Sequence, residues 1–158
     1  MVDVAPPPST AEVEPNNTIP TANLMAAGIA IQGKFHLSND SDYYRLSLAS
    51  QQEVTVSLST TSRRGGSSPL EIVADIINDS DDSMGRITSP GSDEVSTKIV
   101  AGPGDIYIRV KLNRNTYGVN TSLTYLLKGD ALAVAMPEIE IYSLKLNFGS
   151  KQIGFSEL

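Results

Sequence analysis

The sequence contains no cysteine and no tryptophan, and it has a single histidine, His36. Without cysteine, neither a disulfide framework nor a thiolate metal site can form. A single histidine without cysteine is also a poor basis for a transition-metal site, so we expect His36 to occupy a surface position in a strand. These absences do not exclude export from the cell, because bound calcium can stabilise a folded protein that has no disulfides.

Long apolar runs and an excess of basic residues are missing as well. No apolar run approaches the length of a membrane span, and the net charge of −6 argues against a nucleic-acid partner. Residues Met1–Pro8 lack the basic and apolar regions of a signal peptide. Either a signal has been removed and Met1 is a start introduced by cloning, or the protein is not exported. We favour the first and expect a secreted or cell-surface location.

Short segments of alternating apolar and polar residues are the main structural signal. The chain of 158 residues is long enough for one well-buried domain. Turn residues separate the alternating segments about every eight to twelve residues, which is typical of an all-β sandwich. Residues 21–27 are the one stretch that we expect to form a helical turn or two. The predicted strands lie within residues 29–37, 44–48, 54–58, 70–77, 95–99, 106–112 and 122–127.

Composition divides the chain into three parts. Residues 1–11 are rich in proline and predict an extended linker. Residues 12–129 carry the strand pattern of the sandwich. At Gly129 the composition shifts, and residues 130–158 predict a small-residue linker followed by a further alternating strand segment.

Two acidic, amide-rich clusters flank an apolar run near the N-terminus, at residues 11–18 and 38–42. Carboxylate and amide oxygens are the ligands of calcium, which takes about six to eight of them. In an extended segment Glu12 and Glu14 project in the same direction, which helps their carboxylates to converge on one ion. The alternative is a solvated acidic linker beside a polar turn. We expect a calcium-ordered binding module.

Catalytic and other metal-binding patterns are weaker. No Gly-x-Ser-x-Gly sequence is present, and Asp40 with Asp42 resembles a glycosidase pair only in having two carboxylates, with no sign of a sugar cleft. Residues Asn78–Asp82 lack the glycine and the distant glutamate of an EF-hand loop, so we expect a solvated hairpin loop. The sequence therefore predicts a protein that is not an enzyme.

Several spaced motifs resemble the bacterial pre-peptidase C-terminal domain, a family that includes the collagen-binding domains of clostridial collagenases. The resemblance covers residues 12–128 and implies a jelly-roll-like antiparallel β-sandwich that serves as a non-catalytic module of secreted proteases and surface proteins. The motifs are Glu12-Val-Glu-Pro-Asn-Asn17, Ala22, Gly33, Asp40-Ser-Asp-Tyr-Tyr44 and Ala101-Gly-Pro-Gly-Asp-Ile-Tyr-Ile-Arg-Val110.

Calcium ligands follow from the same resemblance. In the family's calcium-binding members, ions lie between the N-terminal acidic segment and the loop that bears the later aspartates. Asn17 stands where the family has aspartate, which should weaken binding, and Asp105 interrupts the usual Gly-Tyr junction. The ligands implied for this chain are Glu12, Glu14, Asn16, Asn17, Asp40 and Asp42.

The C-terminal tail resembles a different family. Residues 137–141, 146–149 and 153–154 are similar to the opening strands of the immunoglobulin-like repeats of the ASPM/SPD-2/Hydin group. The tail is either part of a further domain or a donor strand that pairs with another molecule. Two functions follow: a module that attaches a larger protein to a matrix polymer, a cell surface or a neighbouring domain, or a self-assembling subunit of an extracellular filament or surface layer that exchanges residues 137–158 between copies.

Overall fold

The structure is a computed structural model, and it describes residues 10–37, 39–60, 71–89, 94–112 and 124–134. The predictions made for residues 137–158, and most of the predicted N-terminal linker, lie outside these ranges. No helix in the described ranges has both the length and the hydropathy that crossing a bilayer requires.

The described residues form nine strands and one short 3-10 helix at Ile19–Thr21. Helical structure was predicted at residues 21–27, but Asn23 and Leu24 belong to a strand that pairs in parallel with Tyr44 and Arg45. The strands are β1 (Asn23–Leu24), β2 (Ile31–Lys34), β3 (Ser41–Leu48), β4 (Gln52–Thr60), β5 (Ile72–Ile77), β6 (Ser83–Ser89), β7 (Val95–Ala101), β8 (Gly104–Leu112) and β9 (Thr124–Ala133).

The strands assemble into two sheets that enclose one apolar core. The five-stranded sheet has the order β1-β3-β8-β5-β6, and the four-stranded sheet has the order β2-β9-β4-β7. Every pairing is antiparallel except that of β1 with β3. The predicted all-β antiparallel sandwich is therefore confirmed.

Alternation along β3 decides which side chains reach the core. Asp42, Tyr44 and Leu46 point inward and are buried, whereas Tyr43 and Arg45 lie on the outer face. Strand alternation therefore places the ring of Tyr44, and not that of Tyr43, in the core.

The strand β9 continues beyond the predicted domain boundary. It passes through Gly129 and Asp130 to Ala133, and it pairs with β4 along its length. Residues 130–133 therefore lie in the sandwich and not in a linker. Gly129 marks close packing between the sheets, because a Cβ placed there would lie 3.1 Å from Leu46 Cδ2. The glycine that looked like a break is a point of contact.

Candidate metal centre

The N-terminal acidic segment is bound to the edge of both sheets. The Glu12 N–H donates to the Gln32 carbonyl at 3.0 Å on β2, and the Tyr43 N–H of β3 donates to the Asn16 carbonyl at 2.8 Å. Between these points the Asn23 side chain holds Val13, accepting from its N–H at 2.8 Å and donating to its carbonyl at 2.9 Å. The segment therefore lies in an extended conformation against the start of β3.

This docking brings the six predicted ligands to one end of the sandwich. Glu14, Asp40 and Asp42 each place a carboxylate oxygen within 4.8 Å of the others, and Glu12, Glu14 and His36 form a second such group. The side chains of Asn16 and Asn17 lie against these carboxylates. We call Glu12, Glu14, Asn16, Asn17, Asp40 and Asp42 the acidic cluster.

Asn16 is fully buried in the centre of the acidic cluster. Its Nδ2 donates to Asn23 Oδ1 at 3.3 Å, and its Oδ1 lies 2.9 Å from Glu14 Oε2 and 3.3 Å from Asp42 Oδ1. Reversing the amide would bring its nitrogen to the carboxylates but would set Asn16 Oδ1 against Asn23 Oδ1. Since Asn23 is fixed by both backbone groups of Val13, the amide oxygen of Asn16 faces the carboxylates. The Asn16 backbone N–H donates to Glu14 Oε2 at 2.9 Å, but no side-chain donor lies between the three oxygens, which are arranged as they would be around a cation.

Asp40 is held by hydrogen bonds from its own turn. The His36 N–H donates to Asp40 Oδ2 at 2.8 Å, and the Ser41 N–H donates to Asp40 Oδ1 at 3.1 Å. The side-chain amide of Asn17 lies 3.0 Å from Asp40 Oδ1 and 3.2 Å from the Ser41 carbonyl. Asn17 is exposed, and because the Ser41 carbonyl can only accept, its amide turns the NH2 group toward both oxygens and donates to them.

Two buried tyrosines support the acidic cluster from inside the core. Tyr125 of β9 donates a very short hydrogen bond to Asp42, and Tyr44 of β3 donates to Glu12 Oε2 at 3.1 Å. The side chain of Tyr125 is completely buried in the core. Its polar role was not predicted from the sequence, because alternation indicates which side chains are buried and not where their hydroxyl groups lead.

The electrostatics of the cluster are dominated by burial of like charges. Burial raises the pKa of Asp42 to about 8, the hydrogen bond from Tyr125 opposes this, and the charges of Glu12, Asp40 and Glu14 add to the rise. Burial likewise raises the pKa of Glu12. A bound cation would offset the repulsion between these carboxylates.

His36 lies at the rim of the acidic cluster. It is exposed, as predicted, but it occupies the bend after β2 and not a strand. Its Nδ1 lies 3.0 Å from Glu14 Oε1 and 3.6 Å from Asp40 Oδ2. No sequence pattern indicated this contact, since the fold brings Glu14 from a distant segment.

The second acidic loop, Asn78–Asp82, joins β5 to β6 as the predicted hairpin. The Asn78 side chain accepts from the backbone N–H groups of Ser80 and Asp82, each at 2.9 Å. Asp81 adopts a positive φ of 65°. The polar side chain of Asn78 thus forms hydrogen bonds within the loop's own turn.

Neither a protein-family model nor a curated protein matches the sequence. Among solved structures, the pre-peptidase C-terminal domain of a collagenase from Bacillus anthracis is similar, with a TM-score of 0.53 and 20% identity over 69% of this chain and 94% of that domain. A family 35 carbohydrate-binding module from an environmental isolate gives a TM-score of 0.42 and 17% identity over 70% of this chain and 81% of the module.

A third similar structure is a family 36 carbohydrate-binding module in complex with calcium and xylotriose. Its TM-score is 0.38, with 13% identity over 64% of this chain and 87% of the module. At 20% identity, the similarity to the collagenase domain shows the fold alone. The chain has the β-sandwich fold of the pre-peptidase C-terminal domain, as the sequence motifs indicated.

Proposed function

We propose that this chain is a non-catalytic, calcium-binding β-sandwich module of a secreted or cell-surface protein. It attaches a larger protein to a matrix polymer or cell surface, or it positions a neighbouring domain. The observation that carries the calcium part is the placement of Asn16 Oδ1 between Glu14 and Asp42, 2.9 and 3.3 Å from their oxygens.

The donor set fits calcium better than other common metal ions. All six members of the acidic cluster offer oxygen, which is the ligand of calcium and magnesium. Magnesium usually keeps several waters and binds through one or two carboxylates, whereas this cluster gathers four. The single nearby nitrogen ligand, His36, is half-exposed at the rim. A transition metal would favour a site with more nitrogen or sulfur.

Calcium binding would stabilise the docked form of the N-terminal segment. Glu12, Glu14 and Asn16 lie on that segment, and Asp40 and Asp42 lie at the start of β3, so one ion would tie the two together. A ligand that binds only the folded state adds stability, by about 2.7 kcal/mol at a concentration one hundred times its dissociation constant. Residues 12–17 would then be held rigidly to the sandwich, which suits a module that positions its neighbours.

The experiment is calcium titration of the wild type and of charge-neutral variants. Glu14→Gln and Asp40→Asn each remove one negative charge from the cluster, and Asp79→Asn removes one from the exposed hairpin loop as a matched control. We expect calcium to raise the melting temperature of the wild type and of the control, and to have little effect on the two cluster variants. If all four proteins respond alike, or if none responds, the calcium site is refuted.

The alternative function, self-assembly through residues 137–158, rests on the alternating apolar residues of that segment, Ile139, Ile141, Leu144, Leu146 and Phe148. Because β9 runs to Ala133, a truncation that tests it belongs after Val134 and not after Gly129. Sedimentation velocity of the full chain and the truncated chain, with calcium and with chelator, would separate the two functions. Polymers that vanish on truncation would favour assembly, and a monomer in every condition would refute it.

A further inference from the structure

The outer face of the five-stranded sheet carries the arginines of the described residues, in a protein that is acidic overall. Its strands place side chains in three parallel rows that cross β3, β8, β5 and β6. The pairing register gives the rows as Ser41–Lys111–Val73–Thr88, Tyr43–Arg109–Asp75–Arg86 and Arg45–Tyr107–Ile77–Ser83. We call these twelve positions the outer face.

Positive charge exceeds negative charge on the outer face. Arg45, Arg86 and Arg109 are all the arginines in the described part of the chain, and Lys111 joins them, whereas Asp75 is the one acidic residue among the twelve. The chain as a whole carries a net charge of −6. The described arginines are therefore gathered on this face, against the overall sign of the chain.

Three of the four cations share one buried carboxylate. Arg86 Nε lies 2.5 Å from Asp75 Oδ1, while Arg109 Nη2 and Lys111 Nζ lie 3.0 and 3.3 Å from Asp75 Oδ2. Arg109 also approaches Asp81 of the hairpin loop, with Nη1 at 3.6 Å from Oδ1. One carboxylate can neutralise only one of the three cations, so the group keeps positive charge after its internal pairing.

Arg45 adds a cation that pairs with no carboxylate in the described residues. Its cross-strand neighbour on β8 is Tyr107, and its Nε has no hydrogen-bond partner, as is also true of Arg109 Nε. Asp105, one row further along β8, instead accepts a hydrogen bond from Ser47 at 2.6 Å. A requirement to neutralise buried Asp75 explains Arg86, Arg109 and Lys111 in part, but it does not explain Arg45.

The composition of the outer face indicates which class of partner it can bind. The large apolar side chains that are exposed in the described residues all lie elsewhere (Val13, Ile29, Leu37, Val100, Leu126, Leu132 and Val134). A stable protein interface usually has an exposed apolar centre, whereas Val73, Ile77 and Tyr107 of the outer face are buried. Single-stranded nucleic acid stacks successive bases on exposed aromatic rings, whereas Tyr107 is buried and Tyr43 is the one partly exposed ring among the twelve positions. Guanidinium groups recognise planar or tetrahedral anions such as carboxylate and sulfate through paired hydrogen bonds.

We propose that the outer face binds a linear polysaccharide that carries carboxylate or sulfate groups. A row that crosses four strands spans roughly 14 Å, given a strand spacing of about 4.8 Å, so repeated anionic groups of an extended polymer can meet several cations at once. This inference rests on the proposed function as a polymer-binding module, and it names the chemical class of polymer.

The test compares two double variants that change charge equally. Arg45→Gln/Lys111→Gln lowers the positive charge of the outer face but leaves Arg86 and Arg109 on Asp75. Lys98→Gln/Lys128→Gln removes two lysines from the four-stranded sheet, where they pair with Glu53 and Asp130 at 3.0 and 3.3 Å. Each protein is titrated by calorimetry with hyaluronan for carboxylate, with chondroitin sulfate for sulfate, with dextran as the neutral polymer, and with single-stranded DNA as the nucleic acid.

We expect the wild type to bind at least one acidic polymer and not dextran. The outer-face variant should lose about ten-fold or more in affinity, as expected for losing charge-assisted contacts, and the control variant should stay within about two-fold. Equal losses in both variants would indicate attraction to overall charge and would overturn the inference. Binding of DNA with the same loss in the outer-face variant would identify a nucleic-acid surface and would overturn it too.

Failure of this inference can be told from failure of the proposed function. A wild type that binds a neutral polymer but no acidic one overturns the anionic surface and leaves a polymer-binding module. A wild type that binds none of the polymers overturns the inference. The calcium part of the proposed function is tested separately, by the effect of calcium on the melting temperature. A melting curve for each variant checks that it is folded at the titration temperature, and Arg45→Gln alone serves as the milder variant if the double variant is not.

Discussion

The hydroxyl groups of Tyr44 and Tyr125 lie 2.7 Å apart in the core, although Tyr44 belongs to the five-stranded sheet and Tyr125 to the four-stranded sheet. Each tyrosine also contacts a carboxylate, Glu12 for Tyr44 and Asp42 for Tyr125. The four groups form a chain with three links, and two hydroxyl groups supply only two protons. A third proton completes the chain when Asp42, whose pKa is raised, holds it. Asp42 then donates to Tyr125, Tyr125 to Tyr44 and Tyr44 to Glu12, whereas ionised Asp42 accepts from Tyr125.

We predict that Tyr125→Phe weakens both the fold and the response to calcium. Phenylalanine keeps the ring but removes the buried hydroxyl that contacts both Asp42 and Tyr44, and leaving the buried carboxyl group of Asp42 without this partner costs about 1–3 kcal/mol of unfolding free energy. Urea unfolding in chelator measures this loss, and calcium titration measures the effect on the site. Tyr107→Phe is the control, since Tyr107 is buried but lies on the other side of the five-stranded sheet. Equal losses in the two variants would contradict the role given to Tyr125.

The sequence predicted the sandwich because alternation reports burial directly. Along β3 and β8 nearly every inward position follows the apolar pattern, and Asp42 is the exception that the acidic motif already marked. What alternation could not give is contact between distant segments. Tyr125 meets Asp42 and His36 meets Glu14 only because the sheets close on each other and the N-terminal segment docks at their edge.

The interpretation of glycine shows the same limit of prediction from one sequence. Gly129 was interpreted as a break, yet it permits close contact with Leu46 of the opposite sheet. A glycine that ends a strand and a glycine that admits a neighbour look alike in one sequence. The helical turn expected at residues 21–27 failed similarly, since Asn23 is fixed by Val13, a partner ten positions away.

We predict that the stabilisation by calcium grows as pH rises from about 5 to about 8. The pKa of Asp42 is raised from 3.8 to about 8, so in this interval the folded protein without metal binds a proton that the unfolded chain does not. Its stability in chelator should therefore fall as pH rises through that window. Calcium competes with this proton, so binding should release it.

Two measurements check this coupling. Melting temperatures in chelator and in saturating calcium should diverge with rising pH. Calorimetric titration with calcium at about pH 7 should give enthalpies that differ between buffers of unequal ionisation enthalpy, because a released proton is taken up by the buffer. A calcium effect that is constant with pH, together with buffer-independent enthalpies, would contradict a proton held at Asp42.

We predict that Asp75→Asn is strongly destabilising. Burial favours the neutral acid, but hydrogen bonds from Arg86, Arg109 and Lys111 outweigh it and lower the pKa of Asp75. Removing the carboxylate would leave three cations without their shared partner, and breaking a buried ion pair costs about 3–5 kcal/mol. Asp79→Asn at the exposed hairpin should change little. Urea unfolding near neutral pH measures both variants.

The pH dependence offers a second check on Asp75. Because its pKa is lowered in the folded state, its contribution is present above about 3.8, the value for the unfolded chain, and is lost as pH falls through the lower folded value. The wild type should therefore lose its stability advantage over Asp75→Asn in acid. An advantage that persists there would mean that the cost of the substitution is steric and not electrostatic.

We predict that Gly33→Ala damages the candidate metal centre through Tyr125 without altering any proposed ligand. A Cβ at position 33 would lie 2.2 Å from Tyr125 Cζ and 2.3 Å from its hydroxyl oxygen, so the ring must move away from Asp42. Overpacking of this kind costs about 1–3 kcal/mol, and the displaced hydroxyl no longer orients the carboxylate. We expect a lower melting temperature in chelator and a smaller gain on adding calcium.

Gly85→Ala is the control, because its Cβ would meet Ile99 Cγ2 at 3.1 Å, far from the acidic cluster. A normal calcium gain in Gly33→Ala would show that Tyr125 does not orient Asp42 for the ion.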